Sequence, residues 1–263
     1  MDVELCPDTG AHQGLELHRS AIALNNIGVL LLEQGAAKQA LDTFRDAVDT
    51  LKIAYNPSAV TKEISWEDLL SNTLEKTRTA SGKVSSVPPC IDGKTSVIET
   101  QCWDELDDLS RSQALSVASC GFGQQCAVVF SISHQVAVST RDREIDSCLL
   151  LYNYAVGYLS MAKGKNTSQA RRSALCLLRM SFTIFVTNLE SGLKGRYWEE
   201  ESATRVLGLA IGLLSNLSRT LFFEGYEREA RDCYYRLGEI CEALTTVEEI
   251  QLVSKRSISA AAA

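Results

Sequence analysis

The chain has 263 residues, of which 45% are hydrophobic, 22% are charged and only four are prolines. This composition is typical of a globular protein and excludes a disordered tail protein, a collagen-like chain and a proline-rich chain. The 26 basic and 33 acidic residues give a formal net charge of -7, which disfavours non-specific attraction to nucleic acid and to anionic membranes, so we expect neither as a partner.

The first predicted element, within residues 1–56, is a helical hairpin. Apolar spacing predicts an amphipathic helix, Gly35 ends it, and a second helix begins a few residues later. An internal repeat supports this interpretation, because residues 24–47 align without gaps to residues 214–237. The matched positions are Leu24, Asn26, Ile27, Leu31, Gly35, Ala40 and Phe44 in the first block and Leu214, Asn216, Leu217, Leu221, Gly225, Ala230 and Tyr234 in the second.

Residues 57–140 do not repeat and form a predicted insert. A helix is predicted from a capping box at Ser65 to about Thr79, and residues 81–89, rich in serine and proline, predict a flexible linker. The β-branched and aromatic run 126–132 predicts a strand. Residues 114–122 are predicted to pair with this strand as a β-hairpin.

The segment 141–250 is predicted to be helical again. We expect helices over about 142–162, 168–189, 199–224 and 226–248, followed by a frayed tail at 251–263. A weaker repeat unit begins at Leu151 and places Asn153 in register with Asn26 and Asn216. Its second helix uses Ala174, Leu178 and Ser181 as core positions.

The repeated hairpins resemble the tetratricopeptide repeat (TPR) superfamily. In the first unit the family's positions fall on Leu24, Ile27, Gly28, Leu31, Ala40, Phe44 and Ala47. Gly28 and Ala40 are expected to let the two helices approach closely while Phe44 fills the gap between them. The layout of one repeat, a long insert and further repeats is similar to TPR-like proteins predicted in diatoms. The resemblance implies a mainly α fold, with TPR-like helical hairpins stacked as a short solenoid and a small β-hairpin insert.

The resemblance also implies a partner-binding groove lined by the first helix of each hairpin. The positions that would line it are Asn25, Val29, Leu32, Tyr152, Val156, Leu159, Ser215, Arg219 and Phe222, together with the amide series Asn26, Asn153 and Asn216. A side-chain amide offers both a donor and an acceptor to the backbone of an extended peptide, although such amides also bind internal partners. A clamp for a partner's terminal carboxylate is disfavoured, because Arg219 is the only cation among these positions.

The chemistry-bearing residues favour no catalytic or metal site. The three histidines, His12, His18 and His134, are not placed at metal-ligand spacing from one another or from any cysteine. A nucleophile formed by Cys120 or Cys126 with His134 is conceivable, but nine cysteines without a C-x-x-C pair are more simply small core residues. We expect no cofactor, no metal and no enzymatic activity.

These patterns favour a non-catalytic protein-interaction scaffold or adaptor that binds a segment of a partner protein. A structural subunit of a larger assembly is the alternative, and a Cys/His hydrolase is the less favoured one. The acidic N-terminus predicts no signal peptide, and the apolar runs are shorter than the ~20 residues of a membrane span, so we expect a cytoplasmic protein. The oligomeric state and the partner's identity stay open.

Overall fold

The computed structural model describes residues 9–56, 65–86, 98–102, 127–133, 143–162, 167–193, 200–240 and 242. The chain divides into two compact units, the first formed by residues 1–105 and 127–197 and the second by residues 106–126 and 198–263. The first unit therefore combines the predicted N-terminal hairpin with helices from the predicted 141–250 segment. The predicted tail at 251–263 lies outside the described residues.

The described residues are mainly helical, as predicted. Unit 1 contains the helices α1 (Thr9–Glu33), α2 (Ala37–Tyr55), α3 (Trp66–Ser86), α4 (Arg143–Met161) and α5 (Thr167–Leu193), and the strands β1 (Ile98–Cys102) and β2 (Ala127–Ser131). Unit 2 contains α6 (Glu200–Phe223) and α7 (residues 227–240).

Gly35 ends α1 as predicted. Its φ of 77° lies in the left-handed region that glycine adopts without steric cost. The Ala36 N–H donates to Leu31 O at 2.8 Å and the Gly35 N–H donates to Leu32 O at 2.9 Å. This pair of bonds is a Schellman cap, which satisfies carbonyls that the helix end would leave without partners.

The second repeat block has the same cap at Gly225. Its φ is 85°, the Tyr226 N–H donates to Leu221 O at 2.9 Å, and the Gly225 N–H donates to Phe222 O at 3.1 Å. The two hydrogen bonds at Gly225 therefore join the positions that align with those joined at the Gly35 cap. The prediction of a helix, a glycine stop and a second helix is therefore confirmed in both blocks.

Close packing between α1 and α2 is centred on Gly28 and Phe44. A Cβ atom added to Gly28 would lie 2.6 Å from Cε1 of Phe44, and the Phe44 side chain is fully buried. A Cβ on Gly14 would lie 3.4 Å from the Ala54 carbonyl oxygen, so the two helices run antiparallel and fold back on each other. The predicted role of Gly28 as a close-approach position is confirmed.

The strand predicted at 126–132 is present as β2, but the prediction of its partner is wrong. β2 pairs with β1 in parallel, with Ile98 opposite Ala127 and Cys102 opposite Ser131, rather than with residues 114–122 in a hairpin. Residues 114–122 lie outside the described residues. The other edge of β2 is bonded by asparagine side chains of α1 and α4, which leaves that edge closed to a hairpin partner.

The linker predicted at 81–89 is also corrected in part. Residues 81–86 continue α3 as helix, and residues 87–89 lie outside the described part of the chain. Ala80 is buried, so α3 packs against unit 1 close to its C-terminal end. Gly82 has a low helix propensity, but it does not end the helix. The N-cap bond of the capping box predicted at Ser65 is confirmed, because the Asp68 N–H donates to Ser65 Oγ at 3.1 Å, while the Asp68 carboxylate accepts from the Ser65 hydroxyl at 2.8 Å.

Unit 2 buries Ala230 and Leu237 of α7, the positions aligned with Ala40 and Ala47, whereas Tyr234 is 52% exposed where Phe44 is fully buried. Within the described residues, one 18-residue stretch of α6, Val206–Phe223, is long and apolar enough to cross a membrane by length and composition alone. It is longer than the apolar runs noted in the sequence. Because 56% of it is buried inside the protein, it is equally typical of a core helix.

Candidate functional site

Three asparagines from two helices meet at the edge of β2. Asn25 and Asn26 come from α1 and Asn153 comes from α4, and we call these three residues the asparagine cluster. Asn25 and Asn153 are fully buried, while Asn26 is half-buried. Buried amides need hydrogen-bond partners, and here the partner is an extended backbone.

Asn26 binds both backbone groups of Ile132. Its Nδ2 donates to Ile132 O at 2.7 Å, and its Oδ1 accepts from the Ile132 N–H at 2.9 Å. A neighbouring β-strand would make the same pair of bonds with this residue. The side-chain amide therefore takes the place of a strand.

Asn153 binds Phe130 in the same way, two residues earlier. Its Oδ1 accepts from the Phe130 N–H at 2.9 Å, and its Nδ2 donates to Phe130 O at 2.7 Å. The same Nδ2 donates to Oδ1 of Asn25 at 3.0 Å. Asn25 in turn donates to Phe130 O at 3.3 Å, so the cluster is continuous across α1 and α4.

Tyr152 extends this row of contacts to Val128. Its hydroxyl donates to Val128 O at 2.9 Å, and its ring centroid lies 5.5 Å from that of Phe130. Backbone groups of alternate residues in a strand point to the same edge. The backbone N–H and C=O groups of Val128, Phe130 and Ile132 therefore all face the helices. Asn25, Asn26, Tyr152 and Asn153 together form what we call the β2-binding site.

The amide series of unit 1 makes its observed hydrogen bonds within the chain. Asn26 and Asn153 bind an extended backbone, as expected of groove residues, but the backbone belongs to the chain itself. The bond between Asn153 and Asn25 also ties two helices together, which is the internal role. These contacts are the internal partners that buried amides commonly bind, and contact with a partner segment stays a prediction.

The remaining predicted groove residues are placed differently in the two units. In unit 1, Val29, Leu32 and Val156 are buried and Leu159 is half-buried. In unit 2, Ser215, Asn216 and Arg219 are half-buried and Phe222 is exposed, and Asn216 Nδ2 donates to Gly212 O of its own helix at 3.1 Å.

A buried contact between His18 and Asp146 was missed by sequence reasoning. His18 Nε2 lies 2.9 Å from Asp146 Oδ2, and both side chains are 2% exposed. The Tyr55 hydroxyl lies 3.4 Å from the same nitrogen and donates to Arg143 O at 3.2 Å. Burial, reinforced by the Asp146 carboxylate, raises the pKa of Tyr55, so its hydroxyl stays protonated and able to donate.

Cys148 of α4 is a buried thiol rather than a reactive thiolate. Burial raises the pKa of Cys148 to about 12, and its Sγ lies 3.0 Å from Ser181 Oγ. The Ser181 hydroxyl donates to Cys148 O at 2.8 Å, so this pair joins α4 to α5 as a structural contact. Cys176 is exposed, contrary to the expectation that the cysteines are core residues.

The predicted nucleophile candidates Cys120, Cys126 and His134 lie outside the described residues. Within the part of the chain that the structure describes, no group of three or more His, Cys, Asp and Glu side chains is arranged to hold a metal ion. The polar groups that converge at the β2-binding site are amides and a phenol, which bind backbone groups by hydrogen bonds.

No protein-family model, no curated protein and no solved structure matches this chain. The tetratricopeptide resemblance thus stands on the residues of the two repeat blocks alone.

Proposed function

We propose that the chain is a non-catalytic protein-interaction scaffold, built from TPR-like hairpins stacked as a short solenoid, that binds a segment of a partner protein. Two helix pairs of unit 1 support the proposal, because α2 packs against α1 and α4, and α4 packs against α5. Gly157 of α4 supplies a close approach to α2, since a Cβ there would lie 2.9 Å from Cδ2 of Leu41.

One observation carries the proposal: Asn26 and Asn153 each bind the N–H and the C=O of a single residue, and these two residues, Ile132 and Phe130, are two apart in an extended segment. Every amino acid except proline presents the same two groups. An arrangement of this kind suits the recognition of extended polypeptide, whereas nucleic acid and small metabolites lack a backbone with this spacing.

A library of displayed linear peptides, panned against the full chain, tests the proposal. We expect enriched peptides whose affinity falls by about tenfold when two alternate residues of the bound segment are N-methylated, because each missing backbone N–H removes a hydrogen bond of about 0.5–1.5 kcal/mol. N-methylation of two residues beyond the bound segment is the matched control. Failure to enrich any peptide, or equal affinity of the two methylated forms, would contradict the proposal.

A structural subunit of a larger assembly is the second candidate. Exposed aromatic side chains in unit 2 favour it, because Phe222 and Phe223 are each 52% exposed and Tyr235 is 65% exposed. Sedimentation of the purified chain over a range of concentrations separates the two candidates. A monomer at all concentrations favours the reversible scaffold, and concentration-dependent association favours the subunit.

A further inference from the structure

We propose that β2 is an internal occupant of the partner-binding site, and that the partner it stands in for is an extended segment with apolar side chains at three alternate positions. The inference rests on the proposed function. It adds which partner sequences the site selects and that β2 controls access to the site. The β2-binding site, formed by Asn25, Asn26, Tyr152 and Asn153, is then a site that β2 and a partner segment occupy in turn.

The first argument is the chemistry of the contacts. The site makes six hydrogen bonds to β2 and the residue that follows it, and all six go to backbone atoms of Val128, Phe130 and Ile132. Hydrogen bonds to the backbone do not distinguish one extended sequence from another. A second segment is therefore able to replace β2 bond for bond, provided that it has no proline at the positions of Phe130 and Ile132.

The second argument is the burial of the side chains, which defines the sequence that the site selects. Val128, Phe130 and Ile132 are 4%, 1% and 1% exposed; of the two intervening residues, Val129 is fully buried and Ser131 is half-buried. Alternate residues of a strand share one face, so these three apolar side chains lie on one side of β2. A partner segment needs apolar residues at the positions of Val128, Phe130 and Ile132, with an aromatic or large aliphatic residue at the centre, and an apolar residue is also favoured at the buried position of Val129.

The third argument is that the site cannot stand empty. Asn25 and Asn153 are fully buried beneath β2, and buried amides without partners are strongly unfavourable. Some extended segment must cover them, and in the isolated chain β2 does so. The backbone of β2 is otherwise paired with β1 in a two-stranded parallel sheet, an arrangement of low intrinsic stability.

Internal occupancy lowers the apparent affinity for a partner. When the binding-competent state is a fraction of the population, the apparent dissociation constant rises by the inverse of that fraction. If β2 is displaced in about 1% of molecules, weakening its hold raises partner affinity by up to about 100-fold. The expected signature is thus a substitution in β2 that strengthens binding.

A synthetic peptide with the sequence of residues 127–133 and blocked ends is the probe. We expect it to bind the full-length Ile132→Ala variant at least about tenfold more tightly than it binds the unsubstituted chain, because the variant's own segment fills the site less well. Two control peptides should not bind: one N-methylated at the positions of Phe130 and Ile132, and one with the same residues in an order that breaks the apolar alternation. Equal binding of all three peptides, or no gain in the variant, would overturn the inference.

Hydrogen exchange of the unsubstituted chain keeps the inference testable if Ile132→Ala fails to fold. The amides of Phe130 and Ile132 should exchange through a local opening, at rates at least about tenfold above those of the Tyr152–Val156 amides of α4. Equal protection of β2 and α4 would make β2 a permanent core strand and overturn the inference.

The same measurement separates this inference from the proposed function. A selected peptide whose binding depends on its own backbone N–H groups should increase exchange at the Phe130 and Ile132 amides of the chain. If it binds while leaving their exchange unchanged, the scaffold function stands and the role of β2 as internal occupant fails. If no peptide is selected although β2 opens locally, the proposed function fails instead.

Discussion

His18 of α1 and Asp146 of α4 form a buried contact, with 2.9 Å between Nε2 and Oδ2, across 128 residues of sequence. Asn25 and Asn153 are separated by the same 128 residues and are joined by a hydrogen bond of 3.0 Å. Equal separations at both contacts mean that α1 and α4 run parallel and in constant register over about two helical turns. The two helices thus present a row of side chains to β2.

The first prediction concerns the contact between Gly28 and Phe44. Gly28→Ala should lower the free energy of unfolding by about 1–3 kcal/mol, because the new Cβ would lie 2.6–2.9 Å from three carbons of a fully buried ring. Gly82→Ala is the matched control, since nothing lies within 4 Å of a Cβ at that helical position. The control should be neutral or stabilising by up to about 1 kcal/mol. Urea unfolding measures both, and identical midpoints for the two variants would refute the close approach.

The second prediction compares two members of the asparagine cluster. Asn153→Ala should destabilise the chain by about 2–4 kcal/mol, because it deprives the buried Phe130 N–H of its partner and leaves a cavity. Asn26→Ala should cost only about 1 kcal/mol, because Asn26 is half-buried and water is able to replace its amide. Chemical denaturation of both variants checks the order. A larger loss for Asn26→Ala than for Asn153→Ala would contradict the burial argument.

The third prediction concerns the buried contact between His18 and Asp146. His18→Ala should destabilise the chain by about 3–5 kcal/mol, since it leaves the Asp146 carboxylate buried without that partner's hydrogen bond. The exposed pair of Lys52 and Asp49 is the control, and Lys52→Ala should change stability by less than about 1 kcal/mol.

A double-mutant cycle with His18→Ala and Asp146→Ala isolates the interaction between those two side chains. The loss of stability in the double variant should be smaller than the sum of the losses in the two single variants. The reason is that the double variant lacks the Asp146 carboxylate, which His18→Ala alone leaves buried without this contact. Additive losses would show that the two residues are independent.

The fourth prediction is a loss of stability at alkaline pH. Burial raises the pKa of Cys148 to about 12 from an ordinary value of 9.0, so the folded chain holds this proton more tightly than the unfolded chain. The resulting stabilisation is complete below about pH 9 and is lost progressively as the pH rises from 9 towards 12. Unfolding followed at several pH values should show a steeper alkaline decline in the natural chain than in Cys148→Ala. Parallel declines would rule out Cys148 as a source of the pH dependence.

Thiol labelling offers an independent measurement of the same environment. At neutral pH a water-soluble disulfide reagent should modify exposed Cys176 in the folded protein and reach Cys148 only after unfolding. Rapid labelling of Cys148 under native conditions would mean that the contact between α4 and α5 is open in solution.

Some features of the site were within reach of sequence reasoning, and others were not. The amide series singled out Asn26 and Asn153 as side chains able to bind an extended backbone, because an amide offers both a donor and an acceptor. Nothing in the local pattern indicated that residues 130 and 132 supply that backbone. The contact of His18 with Asp146 was equally hidden, since neither residue has an unusual neighbour in sequence.

The hairpin geometry was decided by the amino-acid sequence itself. A positive φ at Gly35 and at Gly225, and the small residue Gly28 beside Phe44, are dictated by steric limits that act within a few turns of the chain. The partner of β2 was decided by tertiary structure alone. Strand edges and buried amides accept any suitably spaced backbone groups, so the choice between residues 114–122, β1 and the asparagine cluster depends on which surfaces the packed helices bring together.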